Sequence, residues 1–220
     1  MRLLVEGLFV KVSGVTNEED ALFAIGLGAS AVGFEFGPSP RQISPGAAQD
    51  IVRRLPHGAF SVGVFRNELP QRVVEITNRL GLNAVQIDGV MTTVQLRYIG
   101  ERVNTVLRMI PSTSTIDVAV HDWGVDYLLL PEGDDHDSLV DCLGTFLDQN
   151  IRLPLIASGG LTASNVVDVV QNYPVWGVDV RGGVESSPGV KDPVLLGEFI
   201  ANARWAFDNS YVDRHRDDWF

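Results

Sequence analysis

The chain has 220 residues, of which 45% are hydrophobic and 20% charged, a composition typical of a globular protein and not of a disordered or fibrous one. With 17 Lys and Arg against 28 Asp and Glu, the formal net charge of −11 disfavours binding to nucleic acid and to anionic membranes, but it leaves small anionic ligands open. The single cysteine and four histidines show no disulfide or zinc spacing, so we expect no metal site, and no cofactor is indicated.

The beginning of the chain does not have the pattern of a signal peptide. Its apolar residues are interrupted by Glu6 and Lys11, and no small-residue cleavage site follows. No stretch elsewhere reaches the roughly 18 apolar residues of a membrane span. We therefore expect a cytoplasmic protein.

Apolar, β-branched runs alternate along the chain with segments of helical period, which is the pattern of parallel strands joined by helices. Strands are predicted at residues 8–13, 31–36, 60–65, 84–87, 103–110, 126–130, 153–157 and 175–180. Helices are predicted at residues 18–27, 45–55, 69–80, 94–102, 137–149, 163–171 and 193–207. The fifth crossover, between the fifth and sixth strands, is weak and holds at most a turn or two of helix. Units of about 27 residues favour a single α/β domain with the (β/α)₈ TIM barrel fold over an open sheet.

Residues at the predicted helix starts agree with this reading. Thr16 with Glu19 predicts a capping box, Ser44 before Pro45 predicts a second cap, and Thr162 a third. We assign the barrel to residues 1–204. Residues 205–220 then form an acidic and aromatic C-terminal extension that the barrel does not require.

Glycine-rich loops follow the seventh and eighth predicted strands. In this fold the ligand meets the loops at the C-terminal ends of the strands, and glycines there let backbone N–H groups approach a phosphate. From their spacing alone the same glycines fit tight turns equally well, so both interpretations stay open. The candidate phosphate-binding residues are Ser158, Gly159, Gly160, Arg181, Gly182 and Gly183.

Several longer motifs occur in order over most of the predicted barrel. They include Lys11-Val12-Ser13-Gly14, Gly33-Phe34-Glu35-Phe36, Ser39-Pro40-Arg41, Val62-Gly63-Val64-Phe65, Leu82-Asn83-Ala84-Val85-Gln86, Ser158-Gly159-Gly160-Leu161, Gly177-Val178-Asp179-Val180 and Gly183-Val184-Glu185 with Pro188-Gly189-Val190-Lys191-Asp192. This series resembles phosphoribosylanthranilate isomerase, a family of tryptophan biosynthesis. The resemblance implies a (β/α)₈ barrel that binds a phosphoribosyl compound, with Arg41 contacting an anionic part of the ligand. A surface salt bridge is the alternative for Arg41.

The resemblance also implies a chemistry, an Amadori rearrangement of an aminoaldose to an aminoketose. In the family a cysteine closing the first strand is the general base, and an aspartate closing the sixth strand is the general acid. Here Ser13 stands at the base position and Pro131 at the acid position. A serine hydroxyl is too weak an acid to become a base without an adjacent proton acceptor, and proline has no proton to give. We expect the family reaction to be weak or lost.

Other residues are candidates for a rearranged site. Asp88 stands where the family has a histidine, Glu132 follows the acid position, and Asp179 matches a family aspartate on the eighth strand. A solvated loop carboxylate is the alternative for Glu132 and for Asp88, and a structural hydrogen-bonding role is the alternative for Asp179. Arg181 stands where the family usually has serine. It predicts either stronger phosphate binding or a filled site.

Three hypotheses for the function follow, and whether the chain is an enzyme stays open among them. The first is a barrel of this family that binds a phosphorylated sugar or aminosugar, or another small anion, with a degenerate active site. The second is an aminosugar-phosphate isomerase that uses Asp88, Glu132 or Asp179. The third is a non-catalytic binding or regulatory protein that contacts a protein partner through residues 205–220.

Overall fold

The computed structural model describes residues 7–110, 123–130, 136–147, 151 and 153–212. Eight parallel strands close into a barrel in sequential order, which confirms the predicted TIM barrel. The strands are β1 (Phe9–Val12), β2 (Ala31–Glu35), β3 (Phe60–Phe65), β4 (Ala84–Ile87), β5 (Val106–Met109), β6 (Tyr127–Leu129), β7 (Leu155–Ser158) and β8 (Gly177–Val180). The helices are α1 (Glu18–Gly26), α2 (Pro45–Val52), α3 (Pro70–Leu80), α4 (Thr93–Gly100), α5 (His136–Leu147), α6 (Val166–Asn172) and α7 (Pro193–Asp208).

All of the predicted strands are present, with shifts of a few residues at their ends. Most of the predicted weak fifth crossover, residues 111–122, lies outside the described residues. A short antiparallel hairpin that the sequence reading missed follows β8, with strands β9 (Glu185–Ser187) and β10 (Val190–Lys191). It leads directly into α7 and brings charged residues to the barrel mouth.

Large side chains fill the half of the barrel interior that lies toward the N-terminal ends of the strands. Phe9, Tyr127 and Trp176 come from the N-terminal ends of β1, β6 and β8 and are buried together. The Trp176 ring lies 4.7 Å from the Phe9 ring and 4.4 Å from the Tyr127 ring, measured between centroids. This packing closes the N-terminal half of the barrel, so space for a ligand remains only toward the C-terminal ends of the strands.

The helices pack their apolar faces on the outside of the barrel. In α3 the buried side chains Val73, Ile76 and Leu80 recur at helical spacing, as expected for a helix with one face on a core. Arg204 of α7 donates hydrogen bonds to the carbonyl oxygens of Leu8 (2.8 Å) and Gly28 (2.7 Å), which ties the last helix to the barrel base.

The predicted helix caps are confirmed in one case and wrong in two. Ser44 caps α2, since its hydroxyl accepts from the Ala47 N–H. Helix α6 begins later than predicted and its N-cap is Asn165, so Thr162 does not cap it. The N-cap of α1 is Asn17 and not Thr16, whose hydroxyl is occupied elsewhere.

Thr16 instead donates to the carbonyl oxygen of Gly189 at 2.6 Å, while the Asn17 side chain accepts from the N–H of Asp20 at 2.8 Å. The capping-box prediction failed because a threonine that contacts the β9–β10 hairpin is not available to the helix.

Helix α7 continues to Asp208, so the predicted extension begins inside this helix. Its final residues, 213–220, lie outside the described residues. Among the helices that the structure describes, none is long and apolar enough to cross a membrane.

Candidate functional site

A cavity of about 380 Å³ opens at the C-terminal ends of the strands. Of the predicted site residues, those that line it are Ser13, Arg41, Asp88, Ser158, Gly159, Gly160, Asp179, Arg181, Gly182 and Gly183. The remaining two, Pro131 and Glu132, lie outside the described residues. The alternation of side chains along β1, β4, β7 and β8 explains why residues distant in sequence meet here.

Ser13, at the predicted base position, is part of a buried hydrogen-bonded cluster. Ser13 donates through its hydroxyl to Asp179 Oδ1 at 2.7 Å, and Lys11 Nζ donates to the same hydroxyl. Lys11 Nζ also lies 2.8 Å from Asp179 Oδ2. Ser13 therefore does have an adjacent proton acceptor, which could not be identified from the sequence. Gly33 gives the cluster room, because a Cβ there would lie 2.9 Å from the Ser13 hydroxyl oxygen.

Lys11 was not among the predicted site residues. It is fully buried beneath the cavity, on the same face of β1 as Ser13. The available signal was a lysine inside an apolar strand, two residues before a candidate site residue. A buried ammonium of this kind needs a carboxylate partner, and Asp179 supplies it.

Arg41 is bound by a carboxylate of this chain. Its Nε and Nη2 donate to Glu185, the shortest contact being 2.6 Å, and Lys191 Nζ lies 2.8 Å from the same carboxylate. Lys191 also donates to the carbonyl oxygens of Ser13 (2.6 Å) and Arg181 (3.2 Å). Through these contacts the β9–β10 hairpin connects the C-terminal ends of β1 and β8 to the loop after β2.

These contacts change the ionisation of the hairpin residues. Burial disfavours the charged form of Glu185, but hydrogen bonds and charge from Arg41 and Lys191 outweigh burial, and the pKa of Glu185 lies below its ordinary value. Burial is the main cause of a lowered pKa at Lys191, and the neighbouring Glu185 partly offsets it.

Arg181 is paired across the mouth with Glu35, whose carboxylate lies 3.2 Å from Arg181 Nη1. Glu35 is buried, lines the cavity, and was missed as a site residue. It lies on the inward face of β2 with Ala31 and Gly33, which was the signal that could have identified it. Stronger phosphate binding by Arg181 and a site filled by Arg181 both stay predictions.

Gln86 and Asp88 form the wall contributed by β4. Gln86 Nε2 donates to Asp88 Oδ1 at 2.8 Å, whereas the buried Gln86 Oε1 has no hydrogen-bond partner among the described residues. Behind this wall Arg108 donates to the carbonyl oxygens of Ile87 (2.8 Å) and Gly89 (2.6 Å). Burial lowers the pKa of Arg108, and the charge of Asp88 partly opposes that shift.

The two glycine-rich loops pack against each other. Gly159 and Gly160 have φ values of +84° and +62°, a left-handed conformation that favours glycine. A Cβ at Gly183 would lie 1.9 Å from the Leu161 carbonyl oxygen, so a side chain cannot fit there. Gly182 begins a short 3₁₀ turn whose first N–H groups have no partner within the turn. Turn geometry therefore requires some of these glycines, and phosphate binding stays a prediction.

The cavity is lined by the glycine-rich loops after β7 and β8 and by the carboxylates of Glu35, Asp88 and Asp179. Ser158 donates to the Leu130 carbonyl oxygen at 2.5 Å, so its hydroxyl helps to hold β7 against β6. In the parts of the chain that the structure describes, no three His, Cys, Asp or Glu side chains are grouped so that they could hold a metal ion. The chemistry open to the described residues is anion binding and proton transfer.

Residues 10–202 match the family described as "PRAI: N-(5'phosphoribosyl)anthranilate (PRA) isomerase". An N-(5'-phosphoribosyl)anthranilate isomerase of Thermotoga petrophila is 37% identical over 204 residues, which cover 89% of this chain and 98% of the relative. One of Dechloromonas aromatica is 34% identical over 206 residues, covering 90% and 96%.

Solved structures of phosphoribosylanthranilate isomerases have a similar fold. A phosphoribosylanthranilate isomerase in complex with reduced 1-(o-carboxyphenylamino)-1-deoxyribulose 5-phosphate superposes with a TM-score of 0.78 at 37% identity, covering 90% of this chain and 99% of that chain. TrpF from Jonesia denitrificans superposes with a TM-score of 0.82 at 26% identity, covering 90% and 98%.

Proposed function

The chain belongs to the N-(5'-phosphoribosyl)anthranilate isomerase family, and on that premise we propose that its cavity binds a phosphorylated aminosugar and that the family's Amadori isomerisation is weak or lost. The observation that carries the catalytic half is the state of Ser13. Its hydroxyl accepts a hydrogen bond from Lys11 and donates one to Asp179.

The binding half is supported by the loops after β7 and β8. Their glycines keep side chains away from the cavity wall, and Gly182 and Gly183 line the cavity at the start of a 3₁₀ turn, where backbone N–H groups have no partner within the turn. A related structure holds a ribulose 5-phosphate derivative. The same phosphate-bearing class of ligand fits a cavity of about 380 Å³ that the glycine-rich loops line.

The catalytic half follows from proton chemistry. A general base must accept a proton from carbon, and a neutral hydroxyl does so only if it first loses its own proton. Ser13 would have to pass its proton to Asp179, and a carboxylate is a far weaker base than an alkoxide, so this transfer is unfavourable even with Lys11 beside the oxygen. At the acid position Pro131 has no ionisable group. If each general acid or base contributes about 10²–10⁴-fold, losing both leaves little turnover by the family route.

A steady-state assay with phosphoribosylanthranilate tests the catalytic half. We expect turnover at least about 10³-fold below a typical kcat of about 10 s⁻¹. Protein produced in a host without its own isomerase excludes contaminating activity. Ordinary turnover by this material would refute the loss of catalysis. Calorimetric titration with ribose 5-phosphate tests the binding half, and an absence of saturable binding would refute it.

A second candidate function, a rearranged isomerase, is favoured by the 2.7 Å hydrogen bond between Ser13 and Asp179. Through this contact the hydroxyl can pass a substrate proton to the carboxylate, which then acts as the base. Asp179→Asn would abolish such activity, and Ser13→Ala would reduce it. The third hypothesis, a protein partner bound through residues 205–220, stays a prediction, because nothing described in those residues distinguishes it.

A further inference from the structure

The wall of the cavity formed by β2 and β4 presents acceptor oxygens. Glu35, Gln86 and Asp88 all line the cavity. Gln86 uses its amide NH₂ on Asp88, so its carbonyl oxygen Oε1 is fixed as an acceptor, and that buried atom has no partner among the described residues. A buried acceptor without a donor is unfavourable, so a ligand group that donates a hydrogen bond is stabilised here.

The basic side chains at the cavity are already paired with carboxylates of the chain. This holds for the two described arginines that line the cavity and for the lysine beneath it. The pairs are Arg41 with Glu185 at 2.6 Å, Arg181 with Glu35 at 3.2 Å, and Lys11 with Asp179 at 2.8 Å. A carboxylate on a ligand would have to compete with one of these partners for its cation.

The charges of the side chains that line the cavity also disfavour a carboxylate on the ligand. The described lining side chains carry three carboxylates and two guanidinium groups. The phosphate of a ligand would be held by backbone N–H groups at the glycine-rich loops after β7 and β8, whereas Asp88 follows β4 on the opposite side of the barrel. A second negative charge, on the group attached to the sugar nitrogen, would meet the carboxylates of β2 and β4. Like-charge contacts of this kind select against a ligand.

We propose that the cavity selects a phosphorylated aminosugar whose nitrogen substituent is an uncharged hydrogen-bond donor, and that Glu35, with Gln86 and Asp88, discriminates against a substituent carrying a carboxylate. This inference rests on the proposed binding of a phosphorylated aminosugar. Glu35 acts as a specificity-determining residue in two ways. It places a negative charge in the wall, and it holds Arg181 away from an incoming carboxylate.

Two stable ligands that differ in one group test the proposal. The first is reduced 1-(o-carboxyphenylamino)-1-deoxyribulose 5-phosphate, and the second is the same compound with a carboxamide in place of the carboxylate. Calorimetry at equal ionic strength gives both dissociation constants. We expect the carboxamide to bind at least about tenfold more tightly. Equal affinities, or tighter binding of the carboxylate, would overturn the proposal and leave the proposed function standing.

Substitution of the wall shows whether Glu35 causes the preference. Glu35→Gln removes the charge and weakens the hold on Arg181, so the carboxylate compound should gain about tenfold in affinity while the carboxamide changes little. Glu198→Gln, an equal change of charge at an exposed position of α7, is the control and should alter neither affinity. Asp88→Asn should shift the preference in the same direction if Glu35→Gln does not fold. An unchanged preference in a folded variant would overturn the proposal, and binding of neither compound to the unmodified chain would refute the proposed function with it.

Discussion

Glu185→Gln should destabilise the protein strongly. The carboxylate is the shared partner of Lys191 and Arg41, and the side chains of Glu185 and Lys191 are only 4% and 1% exposed. The glutamine keeps the shape of the side chain but removes its charge. Lys191 would then remain buried with the carbonyl oxygens of Ser13 and Arg181, and Asp179 would be the remaining, weaker countercharge.

Removing one partner of a buried pair costs about 3–5 kcal/mol, because it leaves an uncompensated buried charge. Arg41 is more exposed, at 17%, so it adds less to that cost. With an m-value of about 3 kcal/mol/M, the midpoint of urea unfolding should fall by about 1–1.7 M at pH 7. The matched control is Glu75→Gln, whose pairs with Arg72 and Arg79 are about half exposed and should be worth no more than about 1 kcal/mol.

The pH dependence gives the same prediction an independent check. Because the pKa of Glu185 is lowered in the folded state, this carboxylate contributes stability above the pKa of the unfolded chain, about 4.3, and the contribution is lost as the pH falls through the folded-state value. The difference in unfolding free energy between the two proteins should therefore shrink from pH 6 to pH 3. A difference below about 1 kcal/mol at pH 7, or one that does not change with pH, would refute the reasoning.

Two further changes test the base position and the loop packing. Ser13→Cys combined with Pro131→Asp should raise kcat for phosphoribosylanthranilate by more than the sum of the single gains, because groups that act in one catalytic cycle are not additive. A folded, phosphate-binding double variant without activity would contradict phosphoribosylanthranilate as the substrate of this cavity. Gly183→Ala should cost about 1–3 kcal/mol in thermal or urea unfolding and weaken phosphate binding, since its Cβ would overlap a carbonyl oxygen of the loop after β7. Gly46→Ala, which meets nothing within 4 Å, is the control, and an equal loss there would contradict the packing argument.

The barrel could be predicted from sequence because its signals are local. Each strand is a short apolar run, and the intervening helices, such as α3, carry a periodic apolar face. Helix starts were less predictable. Thr16 and Asn17 are adjacent and both able to cap α1, and the contact of Thr16 with Gly189, far along the chain, decides between them.

The cavity was only partly predictable, because its contacts join residues that are far apart in the chain. Candidate positions at strand ends were found, but their pairing depends on barrel closure. Ser13 and Asp179 are 166 residues apart in the chain, and Arg181 and Glu35 are 146 apart. The sequence around Glu35, an isolated glutamate in an apolar strand, does not indicate that Arg181 is its partner. Glu35 was therefore missed, although its inward position follows from the strand alternation.

A cysteine at position 13, which the resemblance implies for the family, would change the hydrogen bonding of the cluster as well as its acidity. A thiol is a weak hydrogen-bond donor, whereas a hydroxyl donates well and, in this chain, does so to Asp179 at 2.7 Å. The fold does not depend on this exchange, because the rings of Phe9, Tyr127 and Trp176 pack the opposite half of the barrel. What depends on it is the freedom of the Asp179 carboxylate, which is now held by both Ser13 and Lys11. Ser13→Cys would release one of these bonds. If the freed carboxylate orients the substrate or the thiolate, the activity gained by Ser13→Cys should fall when Asp179 is also changed to asparagine. An unchanged activity would exclude that role of Asp179.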